Sequence, residues 1–334
     1  MSKLKNRETE AVSGEVRPGT LKSISVSSTL TYRSVSIGGI NIFYREAGPP
    51  DAPVLLLLHG YPSSSRMFDT LLPLLADKYR LIAPDYPGFG HSDAPSPEAF
   101  CYTFDGIAVL IGNFADALEL TSYAIYMQDY GGPIGFRLAL AHPERIRAIA
   151  VQNVVASEEG LGPAWDIRKA YWRDRAKYED EVMGGFMSLE GARARHIGGS
   201  PRPERYNPDT WLGEFGLLSR PGQRRIQADL FWSYQTNVAS YPRWQDYLRR
   251  HRPPLLVLWG KYDPSFAQEG VSIYRECVPD AEVHILDAGH FALDECLDEI
   301  AGLLRKFADR HFAPASRSPL ALNCPPVSEA SGSR

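Results

Sequence analysis

Short runs of apolar residues alternate with stretches of helical spacing through most of this chain, and that rhythm leaves few folds open. Residues 54–58, Val-Leu-Leu-Leu-Leu, are apolar at every position, as expected of a strand buried on both faces. Further strand-like runs fall at 81–83, 123–127, 148–153, 255–259 and 283–286. Helical spacing falls between them, at 67–76, 105–118, 133–141 and 298–311. Such alternation predicts an α/β protein, with a mostly parallel central sheet flanked by helices on both faces. Residues 34–37 and 40–45, joined by Gly38-Gly39, predict a leading hairpin.

One stretch breaks the rhythm. From 155 to about 253 no buried-strand run is evident, and helical character recurs at 171–178, 182–196 and 224–231. An insertion placed after a strand's carboxyl end covers the crevice where such sheets bind ligands. The expected organisation is a core over 33–154 and 246–312, with residues 155–245 as an inserted helical cap, or lid. Residues 1–32, rich in Ser, Thr and charge, and the proline-rich 313–334 read as a flexible lead-in and a disordered tail.

Composition narrows the class of function. Lys and Arg number 36 against 40 Asp and Glu, a net charge of −4. That balance offers no basic footprint for nucleic acid and no polybasic patch for a membrane. The longest purely apolar run is too short to span a bilayer. Cys101, Cys277, Cys296 and Cys324 are widely spaced, with no CxxC or CxxH pair, so no metal site is expected and a reducing cytoplasm suits the chain. A small-molecule ligand and a monomer or homodimer are the remaining expectations.

The most informative segment is Tyr126-Met127-Gln128-Asp129-Tyr130-Gly131-Gly132-Pro133, which runs from strand through a glycine turn into a helix. A sharp turn of this kind lifts one side chain above the sheet edge as a nucleophile, and small neighbours let the backbone fold back. Asp129 stands where such a turn usually holds serine, and no G-x-S-x-G occurs. Met127 is bulkier than the glycine usual two positions earlier. Alone, an Asp before Gly-Gly is more often a turn or cap residue. Its partners change that reading. Asp263 follows the 255–259 strand, and His290 lies in the Gly loop after the next one. The order nucleophile, acid, histidine is that of a triad. His59-Gly60-Tyr61-Pro62 follows the 54–58 strand, and its bend turns the Tyr61 N–H toward the site. With the Tyr130 N–H it would form an oxyanion hole. Asp85-Tyr86-Pro87-Gly88-Phe89-Gly90 supports the fold more than the chemistry.

Together these motifs resemble the α/β-hydrolase family over about residues 34–311. With Asp129 in the elbow, the resemblance is to the branch of epoxide hydrolases and haloalkane dehalogenases. The choice of aspartate has a chemical consequence. A carboxylate attacking an acyl carbon gives a labile anhydride, whereas attack on a saturated carbon bearing a leaving group gives a stable alkyl ester. His290 would then activate water, oriented by Asp263, to hydrolyse that ester without cofactor.

For an epoxide, the resemblance implies two lid tyrosines that protonate the departing oxygen. Tyr171 and Tyr234 match their order, although Gln235 stands where those hydrolases usually carry arginine. For a halide, dehalogenases usually place Trp directly after the nucleophile. Here that residue is Tyr130, so Trp165, Trp172, Trp211 or Trp232 would have to donate. Trp165 and Trp172 are the expected lining of the cap pocket. Fluoroacetate-type enzymes usually carry arginines one and four positions after the nucleophile, where this chain has Tyr130 and Pro133. The expected activity is hydrolysis of a small apolar epoxide to a diol, with haloalkane dehalogenation as the alternative and a non-enzymatic receptor as a third. Asn153, Glu158 and Glu159 read as a solvated entrance, and His59 as packing behind the oxyanion loop.

Overall fold

A computed structural model of the chain describes residues 29–312. The predicted tail at 313–334 and all but the last residues of the 1–32 lead-in lie outside that range. The sheet has eight strands: β1 (Thr31–Ile37), β2 (Ile40–Ala47), β3 (Val54–Leu58), β4 (Arg80–Pro84), β5 (Tyr123–Gln128), β6 (Ile146–Gln152), β7 (Leu255–Gly260) and β8 (Glu282–Leu286). Their order is β1-β2-β4-β3-β5-β6-β7-β8. The first two pairings are antiparallel and the remaining five parallel. The strand β1 takes in Thr31 and Tyr32, so the core begins before residue 33.

The continuous apolar runs became the central strands because both faces of the sheet are covered. Leu56 and Leu58 of β3 join one hydrophobic cluster and Leu55 and Leu57 the other. The covering helices of the first half are α1 (Leu72–Leu75), α2 (Phe104–Ala117) and α3 (Gly131–Ala141). Between β6 and β7 come α4 (Asp166–Arg173), α5 (Arg175–Phe186), α6 (Leu189–Ile197), α7 (Asp209–Leu218), α8 (Gln223–Ser233) and α9 (Gln235–His251). The second half adds α10 (Ser272–Cys277) and α11 (Ala292–His311).

Two predicted helices are each divided. The 171–178 stretch breaks at Asp174, whose carboxylate accepts from the Lys177 N–H. The 182–196 stretch breaks at Ser188, whose hydroxyl caps α6 by accepting from Gly191 N–H. Both are short polar side chains that compete with the backbone for the same donors. The insertion's last helix runs on to His251, six residues past the boundary expected at 245.

The turn after β5 is set by one close approach. A Cβ on Gly131 would lie 2.1 Å from the Leu58 carbonyl oxygen, and one on Gly132 would lie 2.2 Å from a Val154 methyl. The start of α3 therefore sits against the end of β3 with no room for a side chain. Met127 does no harm, because Gly135 leaves space for its sulfur. Gly131→Ala should lose about 2–3 kcal/mol, measured by urea unfolding; wild-type stability would show that the turn has slack.

Candidate active site

Asp129 occupies that turn with φ at +48°, a left-handed backbone uncommon outside glycine. The strain aims its carboxylate over the sheet edge. Asp129 Oδ1 accepts the Tyr61 N–H at 2.7 Å. Asp129 Oδ2 lies 3.8 Å from His290 Nε2. Gly60 makes this fit possible, since a Cβ there would be 2.5 Å from Asp129 Cβ. Tyr130 begins α3, so its N–H belongs to the donor end of that helix.

His290 is buried, and its Nδ1 lies 2.7 Å from Asp263 Oδ2. A carboxylate only accepts, so the proton sits on Nδ1 and Nε2 is left as an acceptor. Asp263 is fully spoken for. Its Oδ1 accepts from Ser265 and Phe266 N–H at 2.6 and 3.0 Å, and its Oδ2 also accepts from Asn153 Nδ2 at 2.7 Å. Asp129, His290 and Asp263 thus come together from three strand ends, as their order in the chain predicted.

Two neighbours were not foreseen. Asn153 is fully buried, with φ at +47°, and ties Asp263 to the Gly260 backbone instead of standing at a solvated entrance. Its signal was its place at the carboxyl end of β6, next to the acid's strand. Gln128 Nε2 donates to His290 Nε2 at 3.0 Å, so the second ring nitrogen is engaged by an amide. Its adjacency to Asp129 at the end of a buried strand was the only clue. His59 lies where expected, stacked on Tyr86 at 3.9 Å with Nε2 accepting the Tyr86 N–H.

The insertion brings aromatic rings to Tyr130, the residue after Asp129. The Tyr234 ring centroid is 6.0 Å from that of Tyr130 and 4.7 Å from that of Trp165. Trp172 stacks on Tyr234 at 6.0 Å. Both indoles are committed to backbone carbonyls: Trp165 Nε1 donates to Ser265 O at 2.6 Å and Trp172 Nε1 to Phe231 O at 3.0 Å. Tyr171 is not brought to Asp129. Its hydroxyl donates to Ala228 O at 2.9 Å, and its ring packs against Trp232 and Phe231. One helical position separates it from Trp172, which does face Tyr234. The Tyr130 hydroxyl, by contrast, is buried without a hydrogen-bond partner. Burial and the adjacent Asp129 charge push both Tyr130 and Tyr234 well above the usual tyrosine range, so each remains an O–H donor. For Tyr234 burial leads, followed by the neighbouring Tyr241 and Asp129.

A carboxylate on a strained strand-to-helix turn, opposite a buried histidine–aspartate pair, is the working geometry of a hydrolase. The alpha/beta hydrolase fold model matches residues 53–296, and the chain belongs to that family. It is 40% identical over 267 residues to an uncharacterized hydrolase of Saccharomyces cerevisiae, covering 79% of this chain and 91% of the relative. It is 38% identical over 279 residues to a haloalkane dehalogenase of Psychrobacter cryohalolentis, covering 80% and 87%. The structure resembles that of the ligand-free epoxide hydrolase CorEH with a TM-score of 0.70 at 18% identity, over 84% of this chain and 99% of that one. These relatives place the chain in the branch that holds epoxide hydrolases and haloalkane dehalogenases.

The insertion is locked to the His290 loop by a buried polar cluster. His196 of α6 lies 2.7 Å from Glu214 of α7 and 3.4 Å from Asp294 of α11, and stacks on Phe291 at 4.0 Å. Glu295 accepts from Gly289 N–H at 2.9 Å and from the Tyr206 hydroxyl at 2.6 Å. Arg66 approaches Glu214 at 3.8 Å and Arg202 approaches Glu295 at 3.5 Å. Burial works to lower the His196 pKa, but the Glu214 and Asp294 carboxylates outweigh it and raise the value to about 9. Its stabilisation is therefore full below about 6.5 and fades as pH rises through about 9. His59 has the opposite sign: burial, partly opposed by Asp85, lowers it to about 4. Its stabilisation is present above about 6.5 and fades as pH falls toward 4. Melting temperature should thus decline on both sides of neutrality, and His196→Gln should flatten the decline from pH 7 to 9. Equal alkaline slopes in both proteins would contradict this assignment.

Proposed function

We propose that the enzyme opens an epoxide to a diol through an alkyl ester on Asp129. The supporting observation is the donor set beside the carboxylate. The indole N–H groups of Trp165 and Trp172 are spent on carbonyls, whereas the Tyr130 hydroxyl is unpartnered next to Tyr234. A departing alkoxide needs a proton, and tyrosine hydroxyls supply one. In this reading the insertion is a cap over the reaction site, and Tyr130 takes the part expected of Tyr171.

Asp129 Oδ2 attacks an epoxide carbon, the C–O bond breaks, and the alkoxide takes a proton from Tyr130 or Tyr234. Asp129 Oδ1 becomes the ester carbonyl oxygen, already on the Tyr61 N–H. A water then replaces Gln128 on His290 Nε2, gives up a proton there and attacks the ester carbon. The negative charge on Oδ1 is held by the Tyr61 and Tyr130 N–H groups. Collapse expels the second alkoxide, which takes the water's remaining proton from the Asp129 carboxyl to complete the diol and restore the carboxylate, while the imidazolium, steadied by Asp263, returns its proton to the tyrosinate. The 38% identity to a haloalkane dehalogenase supports a second reading, in which a halide leaves instead.

Replacing His290 by Gln should let the ester form and persist. Intact-protein mass should rise by the whole mass of 1,2-epoxyhexane, or by that of 1-bromohexane less hydrogen bromide if halide is the leaving group. An adduct from the bromide alone would overturn the epoxide reading. In wild-type background, joint replacement of Tyr130 and Tyr234 by Phe should slow 1,2-epoxyhexane hydrolysis by about 100-fold or more. Undiminished turnover would exclude these hydroxyls as the proton source.

A further inference from the structure

Beside the aromatic wall, Arg168 and Arg195 make no salt bridge among the described residues. Arg168 of α4 is 7% exposed, and its Nε has no hydrogen-bond partner. Among the described residues it makes no salt bridge. Its guanidinium instead lies over Trp165 at 4.2 Å, Phe186 at 4.8 Å and Phe231 at 5.7 Å. Arg195 of α6 is half-buried and repeats the stacking, over Phe186 at 3.8 Å and Tyr61 at 4.7 Å, with a buried Nε that is unpartnered among the described residues. The two guanidinium groups share the Phe186 ring. Trp165 borders Tyr234, and the Tyr61 N–H holds Asp129, so both cations adjoin the walls of the candidate site.

A buried guanidinium without an acceptor is costly, and stacking does not remedy it. Aromatic faces take the flat side of the cation and leave its edge donors unused. Arg168 shows the strain: burial first, then the Arg195 charge, lower it to about 10, while Tyr130, Tyr234 and Asp129 pull the other way. Asp129 is the one carboxylate among those influences, yet it makes no salt bridge to either arginine, which leaves Oδ2 free. An anion with two acceptor oxygens matches the guanidinium edges. Two cations partly offset by Asp129 leave about one positive charge, which suits a monoanion better than a phosphate dianion.

We propose that Arg168 and Arg195 bind a carboxylate carried by the substrate, so that the enzyme acts on a short-chain acid bearing an epoxide or halide. This deepens the proposed function and rests on it for the reacting end of the molecule. It also departs from the wholly apolar substrate expected from the sequence.

The test uses unreactive acids, so that its outcome is independent of the ester chemistry. Butanoate, hexanoate and octanoate are titrated calorimetrically into the full-length protein beside butanamide, hexanamide and octanamide. For at least one chain length the acid should bind about tenfold or more tightly than its amide. Arg168→Met and Arg195→Met, checked for folding by circular dichroism, should each bring that ratio to within about threefold of unity. Arg168→Lys should fall between, because it keeps the charge without the planar fork. Amides that bind as well as acids at every length in the wild type would overturn the proposal, whatever the variants do. So would a preference that survives both Met variants. Failure of the epoxide adduct with acid preference intact would instead overturn the reaction and leave the anion site standing.

Discussion

The site depends on how closely α3 approaches the end of β3. Gly131 lies where any Cβ would strike the Leu58 carbonyl oxygen, and this contact bends the chain so tightly that Asp129 must adopt a left-handed backbone. The strain is local and the support is broad. It is held by β5 paired on both sides, by Gly60 on the facing loop and by the Tyr61 N–H on the carboxylate. A carboxylate placed this way has one oxygen tethered by the Tyr61 N–H and the other facing His290.

The histidine is fixed from the opposite direction. Asp263 uses all its acceptor capacity on His290, Asn153 and its own loop. Gln152 reinforces the arrangement from β6, donating to the His290 carbonyl at 3.4 Å while accepting from the Tyr126 hydroxyl. The His196–Glu214–Asp294 cluster then binds the insertion to the same loop. The loop that carries His290 therefore also docks the insertion, through Phe291, Asp294 and Glu295, which joins stability to the geometry of the site.

Much of this was legible in the sequence, for identifiable reasons. The strands buried on both faces leave uninterrupted apolar runs, and the Gly38-Gly39 turn marks the more exposed hairpin of β1 and β2, so each strand lies within a few residues of its expected place. Asp129, Asp263 and His290 were legible because each follows a strand at its carboxyl end. The insertion was less readable. Its helices are cut by Asp174 and Ser188, whose capping competes with periodicity. Which face of α4 looks inward decides between Tyr171 and Trp172, and one residue of helical rotation separates them. Arg168 and Arg195 were passed over because a charge on a short helix usually marks a solvated face. Only packing shows that Arg168 is buried, that Arg195 lies over aromatic faces, and that neither makes a salt bridge among the described residues. Asn153 likewise needed its partner across the sheet before its burial made sense.

In the proposed reaction Asp129 carries the substrate as an ester, and water attacks the enzyme's own carbonyl. A single turnover in H₂¹⁸O, with excess enzyme and 1,2-epoxyhexane, tests it directly. Heavy oxygen should appear in the peptide containing Asp129, with unlabelled diol in that first turnover. Labelled diol with an unlabelled Asp129 peptide would mean that water attacks the substrate itself, and would contradict the account.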